Sequence, residues 1–298
     1  MSGRTRRAAA LCAVVAAFAA GGGADAAVTY TPEDSACVTR ILRSAGDSAA
    51  ANGGCCDVIA IARLFESVPY VAHTLEVNDT ERLVVNTREL DCTTFVETVT
   101  ALTICVRSGA RSFEDYCRVL AALRYRGGRI DGYPSRLHYF SDWIADNTRK
   151  GYVEEIQTPC PPFTATQTLD LHYMSAHPQA YKALADNTAL LPEIRRQEAA
   201  LTGNTFAFIP KHAVKDAALL KGVVHDGDII AITTDRDGLD IAHVGFAVWH
   251  DDGLHLLNAS SLRRRVTEES MTLYAYLSAH GTHTGIRVIR ILGGGITD

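Results

Sequence analysis

The chain has 298 residues, of which 47% are hydrophobic and 21% charged, with a formal net charge of -5. That composition argues against disorder and suffices for a sizeable core. The mild acidity gives no electrostatic reason to expect nucleic acid or an anionic membrane as partner. Away from the N-terminus the basic triplet Arg263-Arg264-Arg265 reads as a solvated strand end.

In chain order, Arg4, Arg6 and Arg7 precede an apolar run over 8–20 that is too short to span a bilayer, and Ala24-Asp25-Ala26 offers a small-x-small cleavage site. Residues 1–26 are therefore expected to be a secretory signal peptide. Residues 27–298 are expected to form one domain, soluble and without a membrane span, in a periplasm or outside the cell. Of the eight cysteines, Cys12 would leave with the leader. An odd number in an oxidising compartment suggests pairs plus one free thiol. If Cys92 is free, then Cys37, Cys55, Cys56, Cys105, Cys117 and Cys160 can form disulfides in an order that spacing leaves open. No C-x-x-C pair exists, so zinc is not expected.

Helices are predicted over 32–46, capped near Thr31 or Asp34, and over 57–67, ended by Pro69. A short strand is predicted over 82–85. The clearest helix follows Leu90: Asp91 can cap it, Phe95, Val99, Leu102 and Val106 form one apolar stripe, and Gly109 ends it. Further helices are predicted over 113–123 and 137–148, a strand over 152–156, and a polar helical stretch over 168–201 that reads as an insertion near 160–201. Strands at 206–209, 228–233, 241–249, 254–259 and 286–292 complete the pattern. Helices first and strands afterwards predict an α+β fold with N-terminal helices packed on an antiparallel β-sheet.

Three residues stand out chemically. Cys92 opens the helix after Asp91, where unpaired N–H groups and the helix dipole favour a thiolate, although the Asp91 carboxylate opposes this. His243 lies in Asp240-Ile241-Ala242-His243-Val244-Gly245-Phe246, an apolar strand with little other use for a base. A hairpin centred on Asp251-Asp252 sets Gly245 opposite Asn258. Asn258 then becomes a diagonal neighbour of His243 on the same face, able to hold the imidazole as in Cys-His-Asn sites. The Cys92 N–H is a candidate oxyanion donor, and the Tyr70 hydroxyl a weaker one.

These residues sit in recognisable surroundings. Pro69-Tyr70-Val71-Ala72-His73-Thr74, Leu90-Asp91-Cys92-Thr93-Thr94-Phe95-Val96-Glu97, Arg124-Tyr125-Arg126, Ser135-Arg136-Leu137-His138-Tyr139-Phe140, Ala242-His243-Val244-Gly245 and Asn258-Ala259-Ser260-Ser261 resemble the N-acetylmuramoyl-L-alanine amidase-like branch of the NlpC-type papain-like cysteine hydrolases. The resemblance spans roughly 70–292. It implies a circularly permuted papain-like (NlpC-type) fold and cleavage of the amide between the lactyl group of N-acetylmuramic acid and L-alanine. It also implies that Cys92, His243, Asn258 and Tyr70 do the chemistry, and that Arg136, His138, Tyr139 and Ser260 lie near the substrate. Peptidoglycan fragments (muropeptides) are then the partner, with no cofactor. The third catalytic position of that superfamily is often histidine, and here it is Asn258. Two rival readings are a γ-D-glutamyl-diaminopimelate endopeptidase of the same superfamily and a non-catalytic muropeptide-binding protein.

Overall fold

The computed structural model describes residues 14–16, 28–158 and 161–293. The expected cleavage site, Cys12 and Cys160 lie outside these residues. Strand β1 (Val14–Ala16), within the expected leader, pairs antiparallel with β2 (Val28–Tyr30), which pairs in parallel with β3 (Leu83–Val84).

Helix α1 (Pro32–Ala51) opens with a capping box. The Asp34 carboxylate accepts from the Thr31 N–H at 2.9 Å, the Thr87 N–H at 2.8 Å and Arg88 Nε at 3.2 Å. Burial pushes the Asp34 carboxyl up, yet these bonds outweigh it and leave the pKa lowered. The helix runs past Gly46, where it was expected to stop, and the Arg111 guanidinium occupies the space that a side chain at 46 would take. Helix α2 (Val58–Arg63) is shorter than expected. Beyond it the backbone leaves the helix: Ser67 donates to Val266 O at 2.9 Å, and Tyr70 to Arg264 O at 3.0 Å.

Helix α3 (Cys92–Ser108) starts at a reciprocal Asp91–Thr94 cap and ends at Gly109 with φ 80°. It is buried all round from Thr94 to Val106, not along one stripe, because other helices and the sheet enclose it. Its threonines 98, 100 and 103 are polar in the pattern but buried in the fold. Helix α4 (Phe113–Arg124) packs beside it, and the buried pair Arg124 Nε–Glu97 Oε2 at 2.7 Å joins the two. Helix α5 (Phe140–Arg149) follows, stacking Phe140 on Trp143 with centroids 4.9 Å apart.

Strands β4 (Val153–Ile156) and β5 (Ala165–Thr168) precede short helices α6 (Tyr173–Ala176) and α7 (Lys182–Asp186) and the longer α8 (Leu191–Leu201). The 168–201 stretch is thus broken rather than continuous. It closes over a small apolar cluster of its own, in which Leu171, Met174, Leu184 and Ile194 meet Tyr133 and Tyr139. Then come β6 (Thr205–Pro210), α9 (Ala217–Leu220), β7 (Ile229–Thr234), β8 (Ile241–His250), β9 (Gly253–Ser260), β10 (Arg265–Glu268), α10 (Leu273–Ser278) and β11 (His283–Ile291). β5 and β10 were not predicted. Arg265, from the basic triplet, opens β10 opposite Ser260.

The main sheet is antiparallel in the order β10-β9-β8-β7-β11-β6-β5. β11 divides its remaining edge, pairing with β6 at Ile286 and with β4 from Val288 to Ile291. Each face of this sheet has its own core. In β7, Ile229 and Ala231 face the α1–α5 side, and Ile230 and Ile232 face α9 and α10. This explains why β7 reads as an unbroken apolar run. Each such fully buried Ile contributes about 1.5–3 kcal/mol.

The disulfides expected among Cys37, Cys55, Cys56, Cys105 and Cys117 are not present: these cysteines and Cys92 are free thiols. Cys105 on α3 and Cys117 on α4 are buried, and burial pushes both thiols up, Cys105 to about 12. They pack as small apolar residues.

Candidate active site

The hairpin β8–β9 has the register expected from the turn: Phe246 pairs with Leu257 and His250 with Gly253. Gly245 therefore lies beside Asn258. A Cβ on Gly245 would stand 2.9 Å from Asn258 Cβ and 2.7 Å from Leu257 O, so the space next to the imidazole is taken up by Asn258. Asn258 is fully buried, and its Oδ1 is 2.9 Å from His243 Nε2. Its Nδ2 is 3.5 Å from both Leu256 O and Thr267 O, acceptors that keep the amide carbonyl turned to the ring. Asn258 has only an acceptor to offer there, so Nε2 carries the proton and Nδ1 the lone pair.

Helix α3 brings Cys92 to this strand, and the thiol draws hydrogen-bonding support from the Val244 backbone, next in sequence to His243. Burial first, and then the Asp91 charge, push Cys92 up to about 12, against the contributions of Val244 and Thr93. Burial also lowers the His243 pKa, opposed by the Asn258 bond and the charges of Glu269 and Asp91. The resting pair is thus a neutral thiol and a neutral imidazole, and the helix mouth alone does not yield a thiolate.

Tyr70 arrives from the other side. Its segment is held between the strand-like contacts Val71 N to Leu90 O, 3.1 Å, and Tyr70 N to Arg264 O, 3.0 Å. Its hydroxyl is pushed up to about 12, by burial and then by the charges of Cys92 and Asp91, so it stays a proton donor near the sulfur. The Cys92 N–H, at the first helical position, makes no hydrogen bond among the described residues. Two donors thus flank the thiol.

A cleft of about 180 Å³ opens on Cys92 and His243, walled by Tyr139, Met174, Tyr181 and Leu239. Met174 and Tyr181 come from the broken 168–201 stretch, whose polar composition concealed them. Tyr139 ties that wall to the centre: its hydroxyl donates to Glu198 Oε1 at 2.7 Å and accepts from the Met174 N–H at 3.1 Å. His138 lines the cleft with Nε2 3.0 Å from Tyr133 O. Burial first, and the Arg136 charge second, push His138 down to about 3.

Arg136 and Ser260 lie elsewhere. Arg136 grips Glu81, Nη2 to Oε2 at 2.7 Å, and lies 5.0 Å over the Tyr133 ring. Ser260 is buried and accepts from the Arg263 N–H at 3.2 Å. Neither lines the cleft. Tyr276 on α10, unmarked in the sequence, stacks its ring on His243 with centroids 6.3 Å apart.

The family description AmiA-like, N-acetylmuramoyl-L-alanine amidase-like, matches residues 60–285. The chain belongs to that family. Among solved structures, an N-acetylmuramoyl-L-alanine amidase from Bacteroides uniformis is 40% identical over 79% of this chain and 97% of its own, with a TM-score of 0.74. A Bacteroides fragilis protein provisionally called a xylanase is 41% identical over 78% of this chain and 99% of its own, with a TM-score of 0.73. A Legionella pneumophila protein shares the fold at 20% identity, covering 88% of this chain and 96% of its own, with a TM-score of 0.66. A search of curated proteins finds no match. Membership of the AmiA-like family makes the chain an amidase-like hydrolase, and its cleft opens on Cys92 and His243, with Asn258 bonded to His243 from behind.

Proposed function

We propose that the protein is a secreted cysteine amidase that cuts the amide between N-acetylmuramic acid and L-alanine in muropeptides, on a circularly permuted papain-like fold of the NlpC type. The observation that carries the proposal is the Asn258 Oδ1 to His243 Nε2 contact of 2.9 Å beside the helix-mouth thiol of Cys92. Family membership supplies the substrate class. The leader over 1–26 delivers the domain over 27–298, with the 160–201 segment as an insertion, to the cell wall.

In this reading the substrate carbonyl enters the cleft with its oxygen toward the Cys92 N–H and the Tyr70 hydroxyl. Nδ1 of His243 takes the thiol proton as the sulfur attacks, so the neutral resting pair becomes ionic only when the developing oxyanion is present to balance it. Asn258 holds the imidazolium through Nε2–H. His243 then gives the proton to the departing nitrogen, the C–N bond breaks, and L-alanine leaves with a free amine. The lactyl carbonyl remains as a thioester on Cys92. Water, deprotonated by His243, attacks it and releases the muramic carboxylic acid and the thiol.

The xylanase name of one relative carries a different expectation, because glycoside hydrolysis generally uses two carboxylates flanking the bond. The cleft wall holds one, Asp240, which accepts from the Ser141 N–H at 2.6 Å. That favours amide chemistry. Incubation with a defined N-acetylmuramoyl tripeptide containing diaminopimelate, followed by mass spectrometry, tests the proposal. A free L-alanyl peptide is expected. Cleavage between D-glutamate and diaminopimelate would establish the endopeptidase instead, and binding without cleavage a non-catalytic receptor.

A further inference from the structure

The cleft over Cys92 and His243 combines two kinds of surface. Tyr139, Met174, Tyr181 and Leu239 make its walls apolar, and Asp240 adds a carboxylate. The Tyr139 hydroxyl is already tied to Glu198 and the Met174 N–H, so that residue offers its ring. Tyr181, half-buried, stands at the start of α7 in the broken 168–201 stretch. Asp240 is only 2% exposed. Its Oδ2 accepts from the Ser141 N–H at 2.6 Å, and its Oδ1 has no partner among the described residues. Because the rest of Asp240 is packed in protein, a hydrogen-bond donor reaches Oδ1 only through the cleft it lines. A buried acceptor left unmet costs stability, so this one points to a ligand.

Charge decides which half of a muropeptide this wall suits. On the amine side L-alanine is followed by D-glutamate, joined through its γ-carbonyl, which leaves an α-carboxylate free. On the acyl side N-acetylmuramic acid is uncharged once its lactyl group is amidated, and it carries hydroxyls and an acetamido N–H. No lysine or arginine lines the cleft, and His138 there is neutral. Asp240 therefore repels the carboxylate of the peptide and accepts from the donors of the sugar. An aromatic wall likewise suits the apolar C–H face of a pyranose. Reach agrees with charge. From the reacting carbonyl carbon, three bonds of about 1.5 Å lead through the lactyl carbon and the ether oxygen to the near edge of the ring. Asp240 precedes His243 by three residues, roughly 10 Å of extended chain at about 3.3 Å each, which is where the far edge of that ring falls.

We propose that this wall is the subsite for the N-acetylmuramic acid ring, with Asp240 Oδ1 accepting from a sugar hydroxyl or the acetamido N–H and Tyr181 packing on the ring face. The proposal rests on the amidase reading and deepens it: the acyl half is recognised by its sugar, and the 168–201 stretch supplies part of the wall that does so. A hydrogen bond to an ionised group is worth about tenfold or more in kcat/KM.

The test compares N-acetylmuramoyl-L-alanyl-D-glutamate with O-methyl-D-lactoyl-L-alanyl-D-glutamate, which ends in a methyl ether where the sugar began. The wild type is expected to cleave the sugar-bearing compound at least about tenfold more efficiently. Asp240→Asn should bring that ratio close to unity. Its carbonyl still accepts from the Ser141 N–H, so the fold is kept, while its amide turns a donor toward the sugar. Tyr181→Ala, at a half-buried position that tolerates truncation, provides a second route: it should lower the ratio severalfold, and Tyr181→Phe should retain it. Both changes are read as the ratio between the two compounds, which a merely structural fault would lower together. Equal cleavage of the two compounds by the wild type, or a wild-type ratio kept by both Asp240→Asn and Tyr181→Ala, would overturn the subsite and leave the amidase reading standing. Cleavage of neither compound by the wild type would overturn both.

Discussion

Replacing Gly245 with alanine probes the site without touching a reacting group. The new Cβ would lie 2.9 Å from Asn258 Cβ and 2.7 Å from Leu257 O. Carbon atoms in comfortable contact are about 3.5–4.0 Å apart, so about 0.6–1 Å must be absorbed. The Asn258 Cβ and the Leu257 carbonyl are fixed to the backbone of β9, which is wholly buried and hydrogen-bonded on both sides, so β8 and β9 must shift apart locally and carry the Asn258 amide away from His243. Overpacking of this size costs about 1–3 kcal/mol of stability, and a displacement near 1 Å at a catalytic group costs roughly a hundredfold in rate. Gly245→Ala should therefore lower kcat about a hundredfold while the protein still folds, with a lower melting temperature. The assay is a double-mutant cycle with Asn258→Ala, read as kcat on a defined muropeptide. Once Asn258 can no longer hold His243, Gly245→Ala should cost little further rate. A full hundredfold loss in both backgrounds, or none in either, would refute the coupling of Gly245 to His243 through Asn258.

Further outcomes follow from the same geometry. Arg136→Ala should lower stability by about 3–5 kcal/mol, because it leaves the buried Glu81 carboxylate without its cation and with the Tyr125 hydroxyl as donor, and this is measurable by urea unfolding. A KM increase with unchanged stability would instead point to substrate binding. His138 is pushed down to about 3, so below pH 6.5 the unfolded chain binds a proton that the folded chain refuses. Stability should fall as the pH drops from 6.5 toward 3, and His138→Gln should flatten that slope in pH-dependent melting. The His243 pKa is lowered, so the neutral base persists to lower pH than an ordinary histidine allows. The acid limb of the kcat/KM profile should accordingly lie below pH 6.5, and a limb above that value would contradict the burial of the imidazole.

The centre of the site was legible because its signals are local. Asp91 and Gly109 bound α3 by capping chemistry, and the two-residue turn at Asp251-Asp252 sets the register that brings Asn258 to His243. Long-range partners leave no such trace. Arg136 looks like a free surface cation until Glu81, 55 positions away, is found in its fork. Met174 and Tyr181 belong to a polar stretch whose apolar residues only meet when the chain breaks into short helices around its own cluster. The odd cysteine count that suggested disulfide pairs has no bearing on α3 and α4, where Cys105 and Cys117 fill core positions as free thiols. Tyr276 is one of two tyrosines in a six-residue helix, and only the packing of α10 against β9 and β11 brings its ring to His243.

The most direct measurement is hydrolysis of a defined N-acetylmuramoyl-L-alanyl peptide by Cys92→Ala beside the wild type, with melting temperature as a check on folding. In the proposed mechanism Cys92 supplies the attacking atom, so the variant should melt like the wild type and lose at least about a thousandfold in kcat. Wild-type turnover by a folded Cys92→Ala protein would contradict the account.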